Sequence, residues 1–195
     1  MLGRFRGLSI VHARQFSSSS ESVLSTFGNV LGGEQMSPEA MGTFRAWHSA
    51  VSHGSKGGTM ADFEEIGNKF KEHVHPQCKF SPPTYYKSWE GRDEFLHIIS
   101  CVGEVFGKSF TYGRQFVSPD GRDWGLEFTA EIGDSKLKME GIDLVRLDEE
   151  GKIIEFSVLA RPPSAVTELK NQMMRKATPG LLKLKAKKVA SSFFG

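Results

Sequence analysis

The stretch KLKMEGIDLVRLDEEGKIIEFSVLAR, residues 136–161, reads as two long β-strands joined by a tight turn, with one carboxylate on an otherwise apolar face. Side chains alternate across a strand, so Leu137, Met139, Gly141, Asp143, Val145 and Leu147 share one side, and Lys136, Lys138, Glu140, Ile142, Leu144 and Arg146 the other. Asp143 is the exception on the first side. An ionised carboxylate buried there costs several kcal/mol unless it is hydrogen-bonded, raised in pKa or turned to a wet cavity, and each of these points to a ligand pocket. Asp148-Glu149-Glu150-Gly151 sets the hairpin register, with Gly151 suited to the left-handed position, and Arg161-Pro162-Pro163 stops the second strand.

Outward from this hairpin, the preceding residues add two more strands, Ser109 to Val117 and Arg122 to Ile132, joined by Ser118-Pro119-Asp120-Gly121. Before them the pattern is helical. Ser37 caps a helix with Pro38 at its first position that runs through Phe44, Trp47 and Val51. A second, capped by Thr59, carries Phe63, Ile66, Phe70 and Val74 and closes at Pro76. Cys78 to Trp89 reads as a short, proline-broken strand and loop. Gly91 opens a third helix with Phe95, Ile98, Ile99, Val102 and Phe106, and a last helix spans Ser164 to about Lys176. Helices segregated from an antiparallel sheet make an α+β domain, with helices covering one sheet face.

The termini differ from this body. Residues 1–16 hold Arg4, Arg6 and Arg14 and no acid, the composition of a mitochondrial presequence, with Arg14-Gln15-Phe16-Ser17 resembling a matrix-peptidase cleavage pattern. A plastid address is the alternative. Residues 17–37 read as a Ser/Gly-rich linker, 38–178 as the domain and 179–195 as a basic tail, solvated or in weak contact with an anionic membrane surface. Seven basic residues and no acid follow Glu168, so with a net charge of +2 the body between the two basic ends carries −8. That excludes the body as a nucleic-acid-binding surface. Two cysteines, Cys78 and Cys101, without metal-ligand spacing argue against a disulfide scaffold or a metal site.

The element order together with GIDLVRLDEEGKIIEFSVLARP resembles the nuclear transport factor 2-like superfamily, in its SnoaL-like and ketosteroid isomerase-like branch. The resemblance implies a curved sheet wrapped around the N-terminal helices as a cone with a deep pocket, no cofactor, a small apolar ligand and a homodimer through the outer sheet face, where Ile142 and Leu144 lie. It places Asp143 where ketosteroid isomerase keeps a protonated carboxylic acid. Trp47 stands where that branch has a helix tyrosine, and no acid lies between His73 and Trp89 to serve as base. His75 is then the candidate base, with His73 and His97 as alternatives. Tyr85, Tyr86, Trp89, Phe95 and Phe128 are candidate pocket lining, and Arg161 either holds a ligand carboxylate or pairs with a surface acid. A ligand-binding or acid–base function is expected. The alternative is an interaction module in a mitochondrial assembly, whose sign would be a pocket filled by its own aromatics.

Overall fold

The computed structural model of the chain describes residues 24–55, 65 and 67–194. The presequence reading and the Thr59, Phe63 and Ile66 positions of the second helix lie outside those residues. Strands β1 (Val30–Gly32), β2 (Val74–Ser81), β3 (Trp89–Glu90), β4 (Thr111–Val117), β5 (Asp123–Ile132), β6 (Leu137–Leu147) and β7 (Ile153–Arg161) form one seven-stranded sheet in the order β1-β4-β5-β6-β7-β2-β3. Helices α1 (Pro38–Ser55), α2 (Arg92–Phe106) and α3 (Pro163–Phe194) pack on its concave side.

The centre of the sheet is the antiparallel meander expected from the sequence. Asp143 pairs with Leu126 on one side and Val158 on the other, and its strand alternates as read, with Met139, Asp143, Val145 and Leu147 buried and Glu140, Leu144 and Arg146 outward. Gly151 takes φ +74 in the turn, and the Ser37 hydroxyl accepts the Ala40 N–H at 3.1 Å to cap α1. The sheet is mixed at its flanks, because β1 runs parallel to β4 and β2 parallel to β7.

Three boundaries differ from the expectation. Residues 24–37 are not a linker: Leu24 is buried, and Val30–Gly32 add an edge strand to the sheet. Small and polar residues suit a loop in isolation, but a sheet edge offers unpaired backbone groups that override so weak a preference. Strand β2 begins at Val74, so Pro76 does not end a helix; it sits where the β2–β7 register shifts between Val74 and Lys79, a place where a missing N–H is tolerated. Finally, α3 runs on through Pro179 to Phe194, so residues 179–194 are helix rather than tail. Leu181 is buried there, and its packing holds the continuation that the lysine-rich sequence left open.

Candidate active site

The helices and the concave sheet face enclose a cavity of about 410 Å3. Its wall is almost wholly apolar: Phe70 and Phe80 from the β2 side, Leu96 and Ile99 from α2, Phe128, Met139 and Phe156 from the sheet, and Met173, Ala177 and Leu181 from α3. The second half of α3, read as a tail, is therefore a wall of the site.

Asp143 is the one carboxylate among the described lining residues. It is buried, and desolvation pushes its pKa up to about 7, against a lowering contribution from the hydrogen bond it accepts. That bond comes from Tyr112, whose O–H donates to Asp143 Oδ2 at 2.9 Å, while the Tyr112 oxygen accepts the Trp47 indole N–H at 2.8 Å. Burial, with the nearby Asp143 charge, raises the Tyr112 pKa well above its ordinary value, so the phenol keeps its proton. Indole, phenol and carboxyl thus form a chain in which every proton has one direction and only the carboxyl titrates near neutrality.

Local sequence explains the placement. Trp47 is held on the inner face of α1 between Phe70 and Phe156, with ring centroids 5.6 and 5.1 Å away. Tyr112 owes its direction to an irregularity. Strict alternation from the buried Gln115 and Val117 would put Tyr112 outside with Arg114 and Phe116, but the β4–β5 register shifts between Tyr112 and Gln115 and turns Tyr112 inward. Gly141, two residues before Asp143, makes room for Phe128: a Cβ there would lie 2.6 Å from that ring and 2.5 Å from the Leu159 carbonyl oxygen.

Of the residues singled out from sequence, Asp143, Trp47, Tyr85, Trp89 and Phe128 line the cavity. The others do not. His75 is outside the wall, its Nδ1 accepting the Gln77 N–H at 3.1 Å, because alternation with the buried Val74, Cys78 and Phe80 puts it on the outer side of β2 with Gln77 and Lys79. His73 bonds the Thr43 hydroxyl at 2.9 Å, and His97 bonds the Ala177 carbonyl at 3.0 Å. Phe95 is core, packed between Phe80 and Phe156. Tyr86 is fully exposed. Arg161 pairs on the surface with Glu140 at 2.8 Å. Trp47 reaches Asp143 through Tyr112 rather than directly. Tyr112 itself was absent from the expected set, and the register shift that aims it carries no sequence signal beyond Gly113. Among the described residues no cluster of His, Cys, Asp or Glu could hold a metal ion.

This architecture is shared. A cystatin-like-fold protein of Silicibacter pomeroyi is 30% identical, with a TM-score of 0.57 over 74% of this chain and 96% of its own. The chain belongs to the nuclear transport factor 2-like superfamily. A steroid delta-isomerase of Pseudomonas aeruginosa also resembles this superfamily member, at 29% identity and a TM-score of 0.63 over 75% of this chain and 97% of that one. A nuclear transport factor 2-like protein of Mesorhizobium loti, 13% identical with a TM-score of 0.50 over 69% of this chain and 99% of its own, shares the fold alone. No protein-family model matches the sequence, and no curated protein matches it. In this chain the cavity holds a single carboxylate among the described lining residues, set at the end of a tyrosine–tryptophan hydrogen-bond chain.

Proposed function

We propose that the protein binds a small, largely apolar carbonyl compound in its cone and carries out cofactor-free acid–base chemistry on it, of the isomerase, cyclase or dehydratase type. The observation that carries this reading is a buried carboxyl, poised near neutral pH, facing an apolar cavity with space for a ligand. The likeness to a steroid delta-isomerase supports it.

With no second carboxylate or imidazole among the described lining residues, the proposed reaction turns on one group. Protonated Asp143 gives its proton to the substrate oxygen as charge develops there; the carboxylate left behind takes a proton from another position of the same substrate. The proton count closes within the site, which suits a rearrangement or ring closure. Tyr112 steadies the carboxylate between the two transfers by donating to Oδ2, and Trp47 holds Tyr112 in the orientation that makes this possible. The apolar wall excludes water, which strengthens these interactions at the moment of transfer.

The test starts with native mass spectrometry of the protein and denaturing extraction of any ligand that travels with it, then turnover of that ligand's carbonyl class. Asp143→Asn is expected to lower turnover about 100-fold with the fold intact. Unchanged turnover in that variant ends the proposal. The open cavity also speaks against the interaction-module alternative, for which an aromatic-filled cone was the expected sign.

We further propose that the protein works as a homodimer through the outer sheet face in the mitochondrial matrix, delivered by the segment containing Arg4, Arg6 and Arg14. A fusion of residues 1–37 to a fluorescent protein should reach mitochondria and lose that destination when the three arginines become glutamates; plastid delivery would reassign the compartment.

A further inference from the structure

We propose that the cavity takes an elongated apolar molecule ending in an anionic group, with Lys185 at the wall as the cation that holds that group. The inference rests on the ligand-binding reading above and narrows the class of ligand.

Helix α3 turns four lysines toward the body of the protein, of which Lys170 rests over the Tyr85 ring, 5.0 Å from its centroid. Lys176 pairs with Glu104 at 2.8 Å and Lys188 with Glu94 at 2.6 Å, both acids of α2. Lys185, between them in the chain, lines the cavity beside Leu181 and Leu182 and has the face of Trp89 as its partner, its Nζ 5.6 Å from the ring centroid. Among the described residues no carboxylate forms an ion pair with it, and it is the only Lys or Arg in the cavity wall. An ammonium resting on an indole face satisfies the ring side only and keeps N–H donors for an anion.

The position relative to Asp143 sets the ligand's shape. Asp143 is on β6 and Trp89 on β3, three strand steps apart in the order β6-β7-β2-β3, or about 14 Å along the sheet. Between them the wall is Phe156, Phe80 and Leu96, with no charged side chain among the described residues. A molecule meeting both ends has one reactive oxygen near Asp143, an apolar stretch across the aromatics and an anion at Lys185.

Isothermal titration calorimetry on the full chain, with dodecanoate, dodecyl phosphate and dodecanol as probes, tests this. Both anions are expected to bind about fivefold more tightly than the alcohol, the upper end of a solvent-exposed ion pair. The preference should shrink with added salt and vanish in Lys185→Met, but persist in Lys183→Met, a change at an exposed lysine outside the wall. Equal binding of alcohol and anions overturns the anion site and leaves the apolar-ligand reading standing. Failure of all three probes to bind overturns both. A preference that survives Lys185→Met but disappears in Asp143→Asn puts the head group at the buried end and also overturns the assignment.

Discussion

At the scale of the residue, Asp143 couples function to stability through one proton. Its folded pKa of about 7 lies above the ordinary 3.8, so between those values the folded protein holds a proton that the unfolded chain has released. Stability from this group is complete below about pH 4 and is lost as pH rises through 7, a change worth a few kcal/mol. Asp143→Asn removes the titration. Urea denaturation of both proteins from pH 4 to pH 8 should therefore show wild type losing stability relative to the variant as pH rises; parallel curves would mean that Asp143 titrates normally. The same group acting as proton donor makes activity fall as pH rises through 7. Tyr112→Phe should move that limb to higher pH, since the lost hydrogen bond is the contribution that lowers the Asp143 pKa. It should also cost about 1–3 kcal/mol, because the buried Trp47 N–H loses its acceptor. Asp143 was legible in the sequence because a charge on an apolar strand face breaks a period of two. Tyr112 was not, because a register shift reverses the face that the period assigns to it.

At the scale of the element, helix α3 shows how a sequence pattern can be correct and still understate a structure. Its lysines read as a solvated face, and several are exposed, yet Lys188 reaches the buried Glu94 and Lys185 covers Trp89. Neither partnership is visible from the helix alone, since both acceptors come from residues 89–94 and meet α3 only in the tertiary fold. The same is true of β1, whose pairing with β4 depends on an edge about 85 residues away along the chain. By contrast, the β6–β7 hairpin was readable because turn, alternation and partner lie together. The Lys188–Glu94 pair fastens the cavity-lining half of α3 to the start of α2. One Glu94 oxygen is buried without a hydrogen bond, so the carboxylate depends heavily on that lysine. Lys188→Met should destabilise the protein by about 2 kcal/mol, below the range for a fully buried pair because the lysine is half exposed. Adding Glu94→Gln, which removes the stranded charge, should restore part of the loss. Thermal denaturation of the two variants checks this, and a double variant less stable than Lys188→Met would show that the charge itself is not what matters.

At the scale of the whole molecule, the sheet separates two roles by face. The concave side holds the cavity, whereas the convex side exposes an apolar strip in which Phe116, Leu144 and Leu159 lie around Ile142. Ion pairs frame the strip: Arg114–Glu127, Arg146 with Asp123 and Glu155, and Arg161–Glu140. An apolar centre with a polar rim is the composition of a protein interface, and a twofold axis through such a strip would set each half against itself. For the homodimer proposed above, a charge on this strip is expected to separate the protomers without disturbing the cone, since Leu159 points away from the cavity and is 61% exposed in the single chain. Leu159→Lys is therefore expected to elute and weigh as a monomer, with its melting temperature changed little beyond the loss of association, and to bind apolar probes as the wild-type protein does. Wild-type protein that is already monomeric at working concentration would remove the sheet face as an interface. A monomeric variant that also loses the probes would mean that the two faces are coupled through the sheet, with Val158 and Leu159, adjacent on β7, as the first place where pressure on one side reaches the other.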